Sequence, residues 1–352
     1  MRVRPGRGSR PRTKDRPTHA DALVGVVVAV DRGRCTVRLR AGVGGAGLAE
    51  RQITAMRARE LGRTGVVVGD DVALVGDTSG RPDTLARIVR IEPRRTVLRR
   101  SADDTDPVER VIVANADQLA VVTSLTDPPP RPRLIDRCLV AAYDARLRPL
   151  LVLTKADLVP PEEFLANYAP LQVPWVVTSR RADRSLAGLD AVREHLAGRV
   201  TVFVGHSGVG KSTLVNALVP GSRRSTGLVN DVTGRGRHTS SSAVALKLPP
   251  GGPEPGADAD PTVGDGWVID TPGVRSFGLA HVDLARIIAH FPDLEAGTDD
   301  CPRGCSHDEP DCGIDQFVAA GGAGPAGRAR LESLRRLLRA RSGDPDSDDR
   351  PG

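Results

Sequence analysis

Short apolar runs separated by glycine and aspartate turns fill the first quarter of the chain. The runs are rich in Val, Thr and Ile: ALVGVVVAV from residue 22, RCTVRLR from 34, TGVVVGDDVALVG from 64 and TLARIVRIEPR from 84. Four or five strands within about 70 residues predict a small β-barrel over residues 22–95, of the oligonucleotide/oligosaccharide-binding (OB) type. An SH3-like barrel would show much the same pattern. Aromatic residues are few here, so any contact with RNA would depend on arginine and backbone groups.

Residues 108–283 alternate between apolar strands that end in polar residues and segments with helical spacing. Strands are predicted at QLAVVTSL from residue 118, RPLLVLTKADL from 148, VPWVVTS from 173, VTVFVGHSG from 200 and GWVIDTPG from 266. Helices are predicted at PRLIDRCLVAAYDARL from 132, LAGLDAVREHLAG from 186 and GKSTLVNALV from 210. This alternation is typical of a mostly parallel α/β sheet covered by helices, with functional residues at the carboxyl ends of its strands.

The remainder of the chain predicts a loop, a third unit and a tail. Residues 249–266 have no apolar pattern, which indicates a long flexible loop between two strands. Residues 284–341 are predicted to form a helical domain that contains a cysteine cluster, and residues 342–352 a disordered tail. The last helix has six arginines and an apolar face of Leu331, Leu334 and Leu338. Its arginines either lie in solvent or contact RNA.

The net charge of +6 is concentrated at the start of the chain. Residues 1–20 carry seven basic residues and one aspartate, so the rest of the chain balances to zero. We expect residues 1–21 to be a disordered basic tail, which is either incidental or an arm that neutralises nucleic-acid phosphates. No apolar run reaches the roughly 18 residues of a membrane helix. Nor does an apolar stretch follow the basic start, so we expect a cytoplasmic protein that enters no membrane.

The segment GHSGVGKST fits the phosphate-binding pattern G-x-x-x-x-G-K-[ST] between a predicted strand and a predicted helix. Its glycines let backbone N–H groups turn inward around phosphate oxygens, and the helix N-terminus adds a positive dipole end. Lys211 would reach the β- and γ-phosphates, and the Ser212 hydroxyl would bind Mg²⁺. We expect the Lys211 side chain to be exposed in the nucleotide-free loop. The candidate nucleotide-binding residues are Gly205, Ser207, Gly208, Val209, Gly210, Lys211, Ser212 and Thr213.

The tetrapeptide TKAD, which starts at Thr154, selects among the enzymes that use such a loop. The Asp157 carboxylate can accept hydrogen bonds from the ring N–H and the exocyclic amine of guanine, whereas adenine would face it with a lone pair. Lys155 would lie along the base. Thr178 and Ser179, after the next strand, would complete a guanine pocket. The motif therefore disfavours a P-loop kinase or ATPase.

Two further segments complete the parts of a GTPase. In DTPG, Asp270 would hold Mg²⁺ through water, and the Gly273 N–H would contact the γ-phosphate. In GRGRHTS, Thr239 is the second Mg²⁺ ligand candidate, in a loop that orders around the γ-phosphate. The base motif precedes the phosphate loop, the reverse of the usual order. A circularly permuted sheet would still build one site, because the ends of a domain often lie close together.

The segments TKADL, GHSGVGKSTLVNAL, GRGRHTS and IDTPGVRSFGL resemble those of the ribosome small-subunit-dependent GTPase family (RsgA, also called YjeQ). The resemblance spans about residues 22–340. It implies an OB domain, a circularly permuted GTPase domain and a C-terminal zinc domain. It further implies an enzyme that binds GTP and GDP, joins the small ribosomal subunit and its rRNA late in maturation, and leaves after hydrolysis. We expect such a protein to be a monomer.

No glutamine follows DTPG to orient the attacking water, because Val274 stands there. His238, beside Thr239, is the best local candidate for that role, and the resemblance supports it. His238 could instead stabilise its loop or contact the ribosome. If nothing orients water, the alternative function is an RNA-binding scaffold that senses guanine nucleotides without significant hydrolysis.

The segment CPRGCSHDEPDC predicts one structural zinc ion held by three thiolates and an imidazole, which leave no open coordination position. Its ligands would be Cys301, Cys305, His307 and Cys312. The C-x3-C and H-x4-C gaps are each one residue shorter than is usual in the resembling family, so a neighbour such as Asp300 could replace one ligand. The other two cysteines, Cys35 and Cys138, lie in apolar patterns and are expected to be buried thiols.

Overall fold

The computed structural model describes residues 19–31, 33–62, 64–100, 110–221, 243–250, 266–271, 282, 284–309 and 311–342. The described strands are β1 (Leu23–Asp31), β2 (Arg34–Leu39), β3 (Arg51–Arg57), β4 (Asp71–Gly76), β5 (Ala86–Ile91), β6 (Val97–Arg100), β7 (Arg110–Ala114), β8 (Gln118–Ser124), β9 (Arg148–Thr154), β10 (Trp175–Val177), β11 (Ser179–Arg180), β12 (Leu186–Ala187), β13 (Val200–Val204), β14 (Val244–Lys247) and β15 (Trp267–Asp270). The described α-helices are α1 (Pro132–Asp144), α2 (Glu162–Ala166), α3 (Leu189–Leu196), α4 (Lys211–Leu218), α5 (Leu284–Ile288), α6 (Pro292–Glu295), α7 (Gly313–Ala319) and α8 (Gly327–Ser342).

The first five strands close into the predicted barrel. β1 pairs antiparallel with both β2 and β4, β2 pairs with β3, and β4 pairs with β5. The parallel pairing of β3 with β5 completes the ring. Residues at alternate strand positions, among them Val27, Val37 and Ile88, fill the interior and are fully buried. The small closed barrel that the sequence predicts is therefore present, with these apolar side chains in its interior.

The predicted parallel sheet is present and carries helices on both faces. Its strand order is β10-β9-β8-β13-β15-β14, and only β14 runs antiparallel to its neighbour. Val202 and Ile269 face α1 on one side, whereas Phe203 and Val268 face α3 and α4 on the other. Because both faces are covered, the strands are apolar at successive positions rather than alternating.

The chain visits these strands in a permuted order. β8 and β13 lie side by side at the centre of the sheet. The chain first builds outward through β8, β9 and β10, then returns to the centre with β13 and completes the other half with β14 and β15. The TKAD segment after β9 and the glycine loop after β13 therefore share one edge of one sheet, although the first precedes the second in sequence.

The barrel and the large sheet meet through a small number of specific contacts. Ala29 of β1 pairs with Val244 of β14, so the two sheets are continuous. The Arg38 guanidinium lies 4.7 Å from the centroid of the Trp267 ring. The Asn115 side chain donates a hydrogen bond to the Gly69 carbonyl at 2.9 Å. β14 follows the GRGRHTS segment in the chain, and β15 leads into DTPG. The barrel is therefore attached next to the predicted nucleotide site.

The last helix, α8, packs against α1 and shares its apolar core. Leu331, Leu334 and Leu338 are buried there, as the sequence predicts. The arginines differ from expectation, because several bind other parts of the protein rather than lying in solvent. Arg330 pairs with Asp293, Arg335 with Asp315 and Arg336 with Asp136. These three arginines are therefore occupied by carboxylates of the protein itself, which argues against the RNA-facing alternative for them.

Candidate functional site

The glycine loop, residues 205–210, connects β13 to α4 in a shape that side chains would obstruct. A Cβ atom on Gly205 would lie 2.4 Å from the Val122 carbonyl oxygen. Gly210, just before the helix, has φ of +91°, a conformation that favours glycine. The loop consequently presents its backbone N–H groups at the start of α4, where a helix favours anions.

Lys211 and Asp270 form an ion pair at the carboxyl ends of β13 and β15. Only 13% of the Lys211 side chain and 4% of the Asp270 side chain is exposed. The expectation that Lys211 is exposed in the empty loop was therefore wrong. The reason is tertiary: β15 pairs directly with β13, which brings a carboxylate beside the ammonium group. The neighbouring Thr271 hydroxyl donates to the Phe203 carbonyl at 2.8 Å and holds these two strand ends together.

The TKAD segment is hydrogen-bonded directly to the glycine loop. The buried Thr154 hydroxyl donates to the Val209 carbonyl at 2.6 Å. Lys155 has φ of +63°, and its ammonium group donates to the Asp127 carbonyl. The two motifs that the sequence separates by about 50 residues thus form one site, as a permuted chain requires.

Asp157 lies at the outer side of this site. Its carboxylate accepts a hydrogen bond from the Arg180 backbone N–H at 2.8 Å. Thr178 is buried, and its hydroxyl donates to the Leu153 carbonyl at 3.1 Å rather than pointing toward Asp157. Its own carbonyl accepts from the Ala156 N–H at 3.3 Å. Ser179 follows at the start of β11 and is half-buried. Thr178 therefore shapes the pocket through its backbone.

The four predicted metal ligands converge in the segment between α6 and α7. Their ligand atoms lie within 4.8 Å of one another in a group formed by Cys301, Cys305, His307 and Cys312. The Cys301 and Cys312 sulfurs are 3.8 Å apart, and the Cys301 sulfur is 3.4 Å from His307 Nδ1. A tetrahedral zinc ion with bonds of about 2.3 Å to sulfur would give edges of about 3.8 Å. The shortened spacing does not prevent convergence, and Asp300 does not join the group.

Burial shifts the pKa values of two of these groups in opposite directions. Burial raises the pKa of Cys305 to about 12, and burial lowers the pKa of His307. The imidazole is therefore neutral, as a ligand must be, whereas the thiol needs a bound cation to lose its proton near neutral pH. Arg335 supports the loop from α8, because it donates to the His307 carbonyl at 3.0 Å and pairs with Asp315.

The RsgA GTPase family model matches residues 91–280. The chain belongs to the RsgA GTPase family. Membership makes it a GTP hydrolase, and the nucleotide site described above lies within the matched residues, whereas the metal cluster follows them. A Small ribosomal subunit biogenesis GTPase RsgA of Chlorobaculum tepidum is 37% identical over 282 residues, covering 78% of this chain and 84% of the relative. The protein of the same name from Gemmatimonas aurantiaca is 34% identical over 299 residues, covering 83% and 92%.

Solved structures give the same architecture for this RsgA-family chain. YjeQ from Thermotoga maritima superposes with a TM-score of 0.60 at 24% identity, covering 92% of this chain and 99% of that one. YloQ, described as a circularly permuted GTPase, superposes with a TM-score of 0.58 at 20% identity, covering 93% and 98%. At these identities the likeness concerns the fold alone, and it agrees with the permuted strand order.

Sequence reasoning missed one loop of the RsgA-family site, residues 125–131 after β8. Its Asp127 carbonyl accepts from Lys155, and its Pro128 ring lies 3.4 Å from where a Cβ on Gly208 would stand. The run DPPP at the carboxyl end of a predicted strand was the available signal. This loop contacts both the base motif and the phosphate loop, so it supports the two together.

Several predicted features lie outside the described residues. They are His238, Thr239, Gly273, residues 1–18 of the basic tail, most of the predicted loop 249–266 and the terminal residues 343–352. Among the helices that the structure does describe, none has both the length and the apolar composition needed to cross a membrane.

Proposed function

We propose that this chain is a GTPase that binds the small ribosomal subunit during its maturation, is stimulated there and leaves after hydrolysis. The relatives with 34–37% identity that cover most of the chain are named for small ribosomal subunit biogenesis, and this is the observation that carries the proposal. Such a partner also implies a cytoplasmic location. The joined TKAD and glycine-loop motifs supply the nucleotide site that this cycle requires.

At the phosphate end, Lys211 exchanges its partner when nucleotide binds. In the structure the ammonium group is paired with Asp270. A β,γ-phosphate group would draw Lys211 away, which frees the Asp270 carboxylate to hold Mg²⁺ through water together with Ser212 and Thr239. Bound Mg²⁺ would supply positive charge against the transferred phosphoryl group. The ion pair holds the two side chains that would contact the phosphates and the metal next to each other.

At the base end, specificity for guanine rests on Asp157. One carboxylate oxygen is fixed by the Arg180 N–H, which orients the other side of the group toward the base. Lys155 lies along the base, and Thr154 holds the adjoining phosphate loop. The base is thereby positioned relative to the phosphates, so recognition of guanine aligns the γ-phosphate.

Hydrolysis further needs a group that orients water, and we assign it to His238, with the Gly273 N–H contacting the γ-phosphate. Val274 cannot orient water, so the free enzyme should be slow. Contact with the small subunit would hold the His238 loop in a productive arrangement. The basic tail and the barrel are the surfaces assigned to that contact.

The Cys3His cluster would hold one zinc ion with a structural role. Four protein ligands would leave no position for substrate. The cluster contacts α8 through Arg335, and α8 packs on α1, so the ion would stabilise the docking of the C-terminal helices on the nucleotide-binding domain.

Multiple-turnover phosphate release tests this function directly. We expect purified small subunits to raise GTP turnover at least tenfold, about 1.4 kcal/mol of barrier, and large subunits to leave it unchanged. His238→Ala should lose the stimulated rate while GTP affinity is nearly kept. If subunits bind but the rate is as fast without them, stimulation is excluded. If no hydrolysis occurs in either case, the scaffold that senses guanine nucleotides takes its place.

A further inference from the structure

A short arginine-rich hairpin, residues 179–187, adjoins the guanine-recognition segment. β11 and β12 pair antiparallel, with Arg180 opposite Leu186. The turn is closed by two backbone hydrogen bonds, from Arg181 to Ser185 and from Arg184 to Arg181, each of 2.9 Å. The hairpin is therefore held together by its own backbone hydrogen bonds.

The hairpin has an excess of positive charge that its own acidic residue does not neutralise. Arg180, Arg181 and Arg184 are exposed, and none of their guanidinium groups donates a hydrogen bond to another residue within the described ranges. The single acidic residue, Asp183, is occupied within the turn, because it accepts from the Ser185 N–H at 2.9 Å and from the Ser185 hydroxyl at 2.6 Å. Three guanidinium groups within five residues are thus available to an anionic partner.

The hairpin is also connected rigidly to the nucleotide site. The Arg180 N–H binds the Asp157 carboxylate at 2.8 Å, so the first hairpin strand holds the side chain that reads guanine. At the hairpin's exit, Gly188 has φ of +79°, and a Cβ there would lie 2.1 Å from the Val177 carbonyl oxygen. This close approach fixes the base of the hairpin against β10. The hairpin that carries the arginines is therefore in direct contact with Asp157.

We propose that the hairpin is an RNA-binding surface whose three arginines contact backbone phosphates, and that it couples RNA binding to guanine nucleotide binding through Asp157. The inference rests on the proposed function, because the RNA is that of the small subunit. The planar guanidinium group matches phosphate oxygens with two parallel hydrogen bonds, and such contacts position a protein on RNA without reading its sequence. By linkage, a nucleotide that alters the Asp157 end alters RNA affinity by the same factor.

The test compares two variants of the full-length protein that each lose two positive charges. Arg181→Gln with Arg184→Gln removes hairpin contacts and leaves the Arg180 backbone in place. Arg146→Gln with Arg193→Gln is the charge-matched control, because Arg146 precedes β9 and Arg193 lies in the second half of α3, before β13, so both lie toward the amino ends of the strands; Arg193 is paired with Asp190 at 3.0 Å. Affinity for purified small subunits, and separately for protein-free small-subunit rRNA, is measured over a range of salt concentrations. GTP affinity is measured with and without RNA.

We expect the hairpin variant to bind both probes at least fivefold more weakly, with a salt slope lower by about 1.5, because two phosphate contacts are lost. RNA should change its GTP affinity less than that of the wild type, and its GTP affinity without RNA should be unchanged. The control should match the wild type. A hairpin variant that matches the control overturns the surface. Weakening with subunits but not with free rRNA also overturns it and indicates an acidic protein partner. A wild type that binds no subunits refutes the proposed function itself.

Discussion

Replacing Thr154 with valine removes one hydroxyl from the junction between the base motif and the phosphate loop. Thr154 is 6% exposed, and its hydroxyl donates to the Val209 carbonyl at 2.6 Å. Valine keeps nearly the same shape, so the change tests the hydrogen bond rather than the packing. Because this bond joins the base motif to the phosphate loop within the protein, we expect it to preorganise the loop for its ligand.

The expected magnitude follows from the burial of the bond. A typical intramolecular hydrogen bond contributes about 0.5 to 1.5 kcal/mol, and a fully buried one lies toward the upper value. We therefore expect Thr154→Val to lower the free energy of unfolding by about 1.5 kcal/mol. If the phosphate loop of the variant must be ordered each time GTP binds, the binding free energy weakens by at most the same amount, which is about a 12-fold loss of affinity. We expect a loss of about 3- to 12-fold.

Thr178→Val is the matched control, because it also removes a buried hydroxyl. Its partner, the Leu153 carbonyl, keeps the Thr178 N–H at 2.7 Å, so less stability should be lost. GTP affinity should be unchanged, since this hydroxyl contacts no part of the phosphate loop. Urea unfolding and titration with a fluorescent GTP analogue measure both quantities. Equal losses of GTP affinity in the two variants, or none in Thr154→Val, would refute preorganisation by this bond.

Three further predictions concern specificity, pH and metal. Asp157→Asn should weaken GTP binding strongly and favour xanthosine nucleotides, because donor and acceptor are exchanged; equal binding of GTP and ATP by the wild type would contradict this assignment. Burial raises the pKa of Asp136 to about 6. Between about pH 4 and pH 6 the folded protein therefore keeps a proton on Asp136 that the unfolded chain has lost. Wild-type stability should therefore fall by up to about 3 kcal/mol relative to Asp136→Asn as pH rises from about 4 to 7, and parallel urea-unfolding curves would exclude the effect. Metal analysis should find about one zinc per chain, and both a strong chelator and Cys305→Ser should expose residues 301–312 to proteolysis while GTP binding persists; intact resistance after complete metal removal would argue against a structural ion.

Each motif of the nucleotide site is predictable from local sequence, because its residues are contiguous in the chain. Gly205 through Ser212 lie within the loop after β13 and the start of α4, and the local backbone conformation requires glycine there. The ligand set of the metal cluster is contiguous in the same sense, within a segment that folds back on itself. The exposure of Lys211 was predicted wrongly because its partner is supplied by a different strand.

The sequence by itself predicted the five parallel strands of the large sheet, the helices α1, α3, α4 and α8, where the phosphate loop lies and which side chains can bind a metal. These properties depend on periodicity, backbone preference and side-chain chemistry within a few neighbouring residues. Only the tertiary structure decided which polar groups meet. The pairs Thr154 with Val209 and Lys211 with Asp270 are separated by 55 and 59 residues. Their contact follows from the order and register of β9, β8, β13 and β15, because the parallel strands of one sheet bring the residues at their carboxyl ends to the same edge.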